Sequence, residues 1–453
     1  MADYTGKFQY LSADGSVAQE GACRLQFDQQ TFTITPDSGA PLACDLGDFG
    51  AVTAADWEIR LPLFTGNTIV LRQFGKSYAT LSHDLLEAYR QRILQCLLLA
   101  DMEEVARYDG NFELVVAGTP PRSGSAELRL FKTNLAVLPI ASQGFQWRLA
   151  DVDSVKFDPA TYEVVLQSGP ELLKVSKLAR RTEEFTDKIK EAISALATRS
   201  VQALHTTFPF LTPDQIQSTA GILREGHAAP VAKLAAIHPK FPAALAAGAV
   251  DKDLKPYYDD LLAQTAKDSL YAGFKLIRPG DAQDDAQDKD KGNTQSGEAD
   301  DFDEDHGAAP DADADAPQTL YWFYFPMVAK AGELANVVAW EASSSGGRAT
   351  YFFRLVDPSQ AGELRDPTRA AVAVDAALRR LDRVLGMLNF RRRPIYLSDD
   401  ELERDPKFHR YAIAARRIPE LREVRAAFLG RAIHSSHEAW QGQVATILAK
   451  AGA

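Results

Sequence analysis

The sequence predicts an α+β protein: two successive strand-rich modules, each closed by one helix, then a helical spacer and a C-terminal antiparallel sheet with helices. Three observations carry this. Short runs rich in Val, Leu, Phe and Thr, broken by turn residues, recur through residues 4–75 and again through 110–176. Each series ends on one amphipathic stretch with apolar residues at helical spacing. Further on, a strand pattern resumes on both sides of an acidic tract at 281–317, which places that tract inside a domain rather than between domains.

At 453 residues, 45% hydrophobic and 25% charged, the chain has room for three or four domains with cores of their own. The boundaries read as 1–105, 106–200, 201–268 and 269–453, with an acidic insertion at 279–318. Cys23, Cys44 and Cys96 form no CxxC pair and suit a reducing compartment. MADYTGKFQY lacks the charged and apolar regions of a signal peptide, and no apolar run reaches the ~20 residues of a membrane helix. A cytoplasmic protein is expected.

In the first module strands are expected at 6–12, 22–27, 31–35, 42–45, 51–53, 57–62 and 68–74. A helix follows from Leu81, capped by Ser82 or Asp84, with Leu85, Tyr89, Ile93 and Leu97 on one face. In the second, strands fall at 110–117, 126–132, 134–139, 145–148, 152–158, 162–167 and 172–176. Its helix spans 181–198, with Phe185, Ile189, Ala192, Ile193 and Leu196 inward. The modules are copies. DLGDFGAVTAADWEIRL from Asp45 aligns with RLADVDSVKFDPATYEVVL from Arg148: Leu46 with Leu149, Asp48 with Asp151, Val52 with Val155, and Trp57-Glu58-Ile59 with Tyr162-Glu163-Val164.

About seven short antiparallel strands closed by one amphipathic helix resemble the pleckstrin-homology (PH) superfold. The Leu-x-Asp-x-x-x-Val step before an aromatic-bearing strand resembles the middle strands of its lipid-binding and GRAM-type members. The resemblance covers residues 4–200 as tandem copies. It implies a bent two-sheet barrel plugged by its helix, and use as an interaction platform. Lipid-binding members carry Lys and Arg around the first hairpin turn. Here 11–16 has no cation and 118–123 has only Arg122, so phosphoinositide or membrane binding is not expected.

Residues 201–268 turn helical, with Thr212-Pro213-x-Gln215 as a capping box and helices expected at 213–224, 229–237, 242–247 and 254–267. Strands follow at 269–278, 320–329, 335–343 and 349–356, the last two joined by the turn 344–347. Asp366-Pro367 starts a helix to about Leu388, with Val374, Leu378, Leu381, Leu385 and Leu388 inward. Residues 390–397 read as extended, Ser398 and Glu401 as a capping box, and 419–449 as a long helix weakened at Gly430 and Gly442.

Composition constrains function. There is no GxSxG, P-loop or strand-linked GxGxxG, and no cofactor or metal is expected. His434 and His437, at i and i+3 before Glu438, lack the spacing of a helical metal motif. Cys96 among Leu97, Leu98 and Leu99 reads as an inert core thiol. The tract holds fourteen Asp and Glu against two Lys, net −12, equal to the charge of the whole chain, and one large apolar residue, Phe302. It is expected to be disordered. Residues 1–105 are net −7, with seven Lys and Arg against fourteen Asp and Glu, and 318–453 are net +5, so nucleic acid is not expected as the main partner.

The leading reading is a non-enzymatic cytoplasmic adaptor or scaffold that binds one or more proteins. Its candidate contacts are Arg391, Arg392 and Arg393, which would face an acidic partner, together with Phe428, His434 and Trp440. A second reading is a chaperone or inhibitor that captures basic, nucleic-acid-binding proteins through Asp300, Asp301, Asp303, Glu304 and Asp305. Tandem PH-like domains with an acidic segment resemble the organisation of certain nucleosome-handling histone chaperones. The third is a hydrolase in the C-terminal module.

Overall fold

The computed structural model describes residues 2–116, 118–250, 252–265, 269–277, 318–328, 334–343, 349–356, 362 and 364–451. The acidic tract, with Asp300, Asp301, Asp303, Glu304 and Asp305, and the turn at 344–347 lie outside the described residues. The chain is α+β and divides into two compact units, Met1–Leu196 with Leu397–Leu421, and Ala197–Tyr396 with Arg422–Ala453.

The first unit contains two curled antiparallel sheets of identical plan. The first is formed by β1 (Ala2–Leu11), β2 (Val17–Phe27), β3 (Thr31–Pro36), β4 (Leu42–Asp45), β5 (Thr53–Ala55), β6 (Glu58–Pro62) and β7 (Thr68–Arg72), in the order β4-β3-β2-β1-β7-β6-β5. The second is formed by β8 (Glu104–Val115), β9 (Arg122–Phe131), β10 (Asn134–Pro139), β11 (Phe145–Arg148), β12 (Ser154–Asp158), β13 (Glu163–Ser168) and β14 (Glu171–Ser176), in the order β11-β10-β9-β8-β14-β13-β12. Even the registers repeat. Phe8 opposes Leu71 and Gly21, as Phe112 opposes Val175 and Gly124. Thr31 opposes Asp45, as Asn134 opposes Arg148.

The repeat extends to close approaches that the sequence alone does not reveal. A Cβ on Gly6 would lie 2.7 Å from the Phe74 ring, and one on Gly110 would lie 2.7 Å from Leu178 Cδ2. Each bulky residue follows the last strand of its sheet and folds over β1 or β8. A short 3₁₀ turn then leads into the closing helix, α1 (Tyr78–Cys96) or α2 (Thr182–Thr207). Helix α1 starts at Tyr78, three residues before the expected Leu81. Ser82 is therefore inside it, donating to the Tyr78 carbonyl at 2.7 Å, and Asp84 accepts from the Tyr4 hydroxyl at 2.7 Å. Neither caps the helix.

β10 and the second half of β9 are buried on both faces. One face lines the core of the second copy, and the other receives the end of α1 from the first. A Cβ on Gly144 would be 2.9 Å from Ile93, and Gln146 donates to the Leu97 carbonyl at 2.7 Å. Ion pairs join this seam: Arg90 to Glu127 at 2.8 Å, Arg129 to Glu127, and Arg129 to Glu87 at 3.3 Å.

The second unit is built on a six-stranded antiparallel sheet: β15 (Ala229–Pro230), β16 (Tyr271–Ile277), β17 (Gln318–Val328), β18 (Leu334–Ser343), β19 (Ala349–Arg354) and β20 (Phe428–Ile433), in sequential order. Phe274, Phe323, Phe325 and Phe352 pack with Leu204, Phe208, Phe241, Leu245 and Trp440 from the helices on one face. The helix Pro367–Met387 contributes Val374, Leu378, Leu381 and Leu385, buried as the heptad spacing requires. Its Asp382 accepts from Tyr324 at 2.8 Å, and Phe390 just beyond it lies 4.6 Å from the Trp322 ring.

Two expectations are corrected here. Residues 419–449 do not form one helix: Pro419–Ala427 and His437–Lys450 are helical, but Phe428–Ile433 pairs with β19. The register shifts there, Gly430 takes φ 155°, and pairing β19's exposed edge outweighs the helical pattern on either side. Residues 390–397 are not extended. Asn389 and Phe390, at φ 50° and 63°, end the preceding helix, and Arg393–Tyr396 makes a single helical turn. The capping boxes at Thr212–Gln215 and Ser398–Glu401 are both present.

Candidate interaction site

The most developed recognition geometry lies in the first unit, where Leu397–Leu421 packs against the first copy. The turn Leu46–Asp48 is a single 3₁₀ turn whose Gly47 amide is held by the Asp45 carboxylate at 2.6 Å, and Arg92 fixes Asp45 from α1 at 2.7 Å. The helix His409–Arg417 lays Ile413 and Arg417, one turn apart, against this turn. Arg417, only 2% exposed, donates Nε to the Gly47 carbonyl at 2.7 Å and Nη2 to the Phe49 carbonyl. Its guanidinium lies over the rings of Phe64 (5.1 Å) and Tyr89 (5.6 Å), a geometry that suits arginine's flat, weakly hydrated cation. Arg416 reaches Asp48 at 3.3 Å and also pairs with Glu403. Burial pushes the Asp48 carboxyl up, with Arg416 opposing it, and burial raises the nearby Cys96 thiol to about 11.

Gly47 is required by proximity rather than by backbone conformation. A Cβ there would sit 2.8 Å from Asp45 Oδ1, 2.9 Å from Ile413 Cγ2 and 3.1 Å from Cys96 Sγ. The second copy has Ala150 at this position and Arg148 in place of Asp45.

The residues singled out from the sequence have different surroundings. Arg392 is 7% exposed and stacks over Trp340 (5.5 Å) and Tyr351 (5.8 Å), while Arg391 and Arg393 are half-buried. Phe428 is half-buried, its ring 5.6 Å from Phe353. His434 and Trp440 come together inside the second unit around Thr350. That hydroxyl donates to Glu341 (2.6 Å), accepts from the Trp440 indole N–H (3.1 Å) and lies 3.0 Å from His434 Nε2. Tyr257 stacks on the His434 ring at 4.2 Å. His434 precedes the helix that His437 begins, so the two do not share a helix face. His437 instead meets Asp260 at 2.9 Å.

In the first-hairpin region of the second copy, Arg122 bonds the Gln143 carbonyl and covers the Phe145 ring. The matched aromatics Trp57 and Tyr162 are 69% and 57% exposed, both with positive φ at corresponding turns. No spacing or motif in the sequence connects Arg416 and Arg417 with the first copy. The available signal was Gly47 standing where the copy has Ala150.

No family model and no curated protein matches the chain. Solved structures give partial likenesses. The linker and DH/PH domains of p115-RhoGEF, N-terminally truncated, are 10% identical over 27% of this chain and 47% of that one, TM-score 0.18. The chain thus spans about half the length of that structure. The Spt16D–Pob3N heterodimer is 18% identical over 41% of this chain and 88% of that one, TM-score 0.16. A DUF3598-family protein of unknown function from Nostoc punctiforme is 10% identical over 38% and 72%, TM-score 0.14. Among the described residues, no helix is long and apolar enough to cross a membrane.

Proposed function

We propose that the protein is a non-enzymatic cytoplasmic adaptor or scaffold whose first unit is a tandem of PH-like modules that bind other proteins. The observation that carries this reading is the seating of Leu397–Leu421 on the first copy. A turn with inward-facing carbonyls, two aromatic rings and a glycine opening grips an α-helix through one arginine and one apolar residue. A surface that holds a helix this way suits protein recognition. Two copies with one strand order, each followed by a helix that buries its apolar stripe, support the module reading. In the second unit, the Thr350 hydroxyl is engaged by Glu341, Trp440 and His434 and fully buried, which favours a structural role over a nucleophilic one.

Affinity purification of the full chain, with and without residues 281–317, followed by mass spectrometry, tests the proposal. The adaptor reading expects the same stoichiometric protein partner in both. A partner lost with the tract would transfer the function to capture of basic proteins by the acidic segment. The absence of any stoichiometric partner would refute both readings.

A further inference from the structure

We propose that the turn Leu46–Asp48, with Phe64 and Tyr89, is an arginine socket that exchanges Arg417 of its own chain for an arginine on a partner's helix. Leu397–Leu421 would then act as a displaceable strap. The inference rests on the adaptor reading and names the chemistry of the partner. Four features of the seating point to it.

The recognition is generic. Arg417 is held by two main-chain carbonyls and two ring faces, and no carboxylate lies within ion-pairing distance among the described residues. Any helix presenting an apolar residue and, one turn later, an arginine meets the same requirement.

The cis contact is incomplete. Arg417 Nη1 is buried and makes no well-formed hydrogen bond of its own, although the Tyr89 hydroxyl contacts the guanidinium, so the arginine's donors are not all matched in the seating.

The strap is also built as a separable piece. The helix His409–Arg417 is nine residues long and is set off by Pro406 and Pro419. Too short to be stable alone, it depends on what it packs against.

Lastly, the socket is specific to the first copy. Gly47 admits Ile413, where the second copy has Ala150, and the first copy's net −7 favours approach of a basic helix.

Cys96 reports the strap directly, because its Sγ and Ile413 Cγ2 both crowd the Cβ position of Gly47. The full-length protein is treated with N-ethylmaleimide and modification is mapped by peptide mass spectrometry, with Cys23 and Cys44 as internal references. Arg417→Ala, with its fold checked by circular dichroism, is expected to label Cys96 about tenfold faster than wild type. A synthetic peptide of residues 409–421 added in trans should restore protection, and the same peptide with Arg417→Ala should not. Gly47→Ala provides a second variant: it leaves the arginine but its methyl meets Ile413, and also Asp45 Oδ1 and Cys96 Sγ, so with its fold checked in the same way labelling should rise and the peptide should fail to rescue.

Unchanged Cys96 protection in both variants would overturn the proposal. So would rescue by both peptides, or by neither, in Arg417→Ala. Because purified protein suffices, the socket can fail while co-purification still identifies a partner. Conversely, exchange can be observed even if no partner co-purifies.

Discussion

Arg129→Ala should destabilise the first unit by about 3 kcal/mol and open both copies of the repeat together. Arg129 is 1% exposed and touches three carboxylates: Glu127, Glu87 at 3.3 Å and Glu104 at 3.7 Å. Breaking a buried ion pair from one side costs roughly 3–5 kcal/mol, chiefly because the remaining charge is stranded. Here Glu127 keeps Arg90 at 2.8 Å and Glu104 keeps Arg107 at 3.2 Å, so the low end applies. Arg107→Ala is the matched control: its side chain is 44% exposed, and its loss should cost less than about 1 kcal/mol. In a Glu127→Ala background, removal of Arg129 should cost less than in wild type, a coupling of roughly 1–3 kcal/mol. Hydrogen exchange with mass spectrometry over Tyr78–Cys96 and Arg122–Phe131 separates this unit from the rest of the chain. Protection in both segments should fall by roughly a hundredfold. If Arg129→Ala costs no more than Arg107→Ala, or if β9 opens while α1 stays protected, the seam is not what binds the copies.

Gly110→Ala should cost roughly 1–3 kcal/mol, because the added Cβ meets the Ser176 carbonyl at 2.8 Å as well as Leu178; Gly6→Ala should cost less, since its nearest contacts are all side-chain atoms of Phe74, and equal thermal shifts would contradict this. Trp57→Gly should be neutral or stabilise by up to about 1 kcal/mol, because Asp56 and Trp57 form a two-residue turn at φ 51° and 63° that favours glycine. The other four tryptophans are at most 7% exposed, so the same change should abolish iodide quenching of tryptophan fluorescence. Glu184 is held down to about 2, first by its hydrogen bond from Arg181 and then by Lys188. A depressed carboxyl stabilises the fold above its unfolded value of 4.5 and loses that contribution as pH falls toward 2. Glu184→Gln should therefore lower the melting temperature slightly at neutral pH, match wild type near pH 2, and so flatten the fall across that window.

What the sequence made legible was local or periodic. The copied Leu-x-Asp step is a 3₁₀ turn in both sheets, with Leu46 and Leu149 buried at 0% and 1%. The stripe of Val374, Leu378, Leu381 and Leu385 and both capping boxes depend on neighbours within a turn or two, so spacing suffices. The misreadings involve partners distant in sequence. Phe428–Ile433 sits between two helical patterns and becomes a strand only because β19 offers an edge. Arg392 and Trp440 look like surface contacts by residue type, yet each finds its partner in a strand, Trp340 for one and Thr350 for the other. Arg417 and the Gly47 carbonyl are separated by 370 residues, and no period connects them.

The two copies share strand order, register and closing helix, so the fold itself cannot explain why they hold different things. The first copy takes the strap at its 45–48 turn. The second takes α1 on the back of β9 and β10, using Arg129 and Glu127 where most sheets present neutral or exposed side chains. At the turn the two differ by small substitutions, Asp45 against Arg148 and Gly47 against Ala150. A methyl group at Gly47 would fall 2.8 Å from the Asp45 carboxylate and 2.9 Å from Ile413, closer than packed atoms approach, so the seating of Ile413 on the first copy depends on this glycine. Duplication of the backbone with divergence at a contact turn gives the two copies different partners within the chain. What each copy holds is thus set by its turns and outer sheet faces, while the strands and closing helices keep those faces in place.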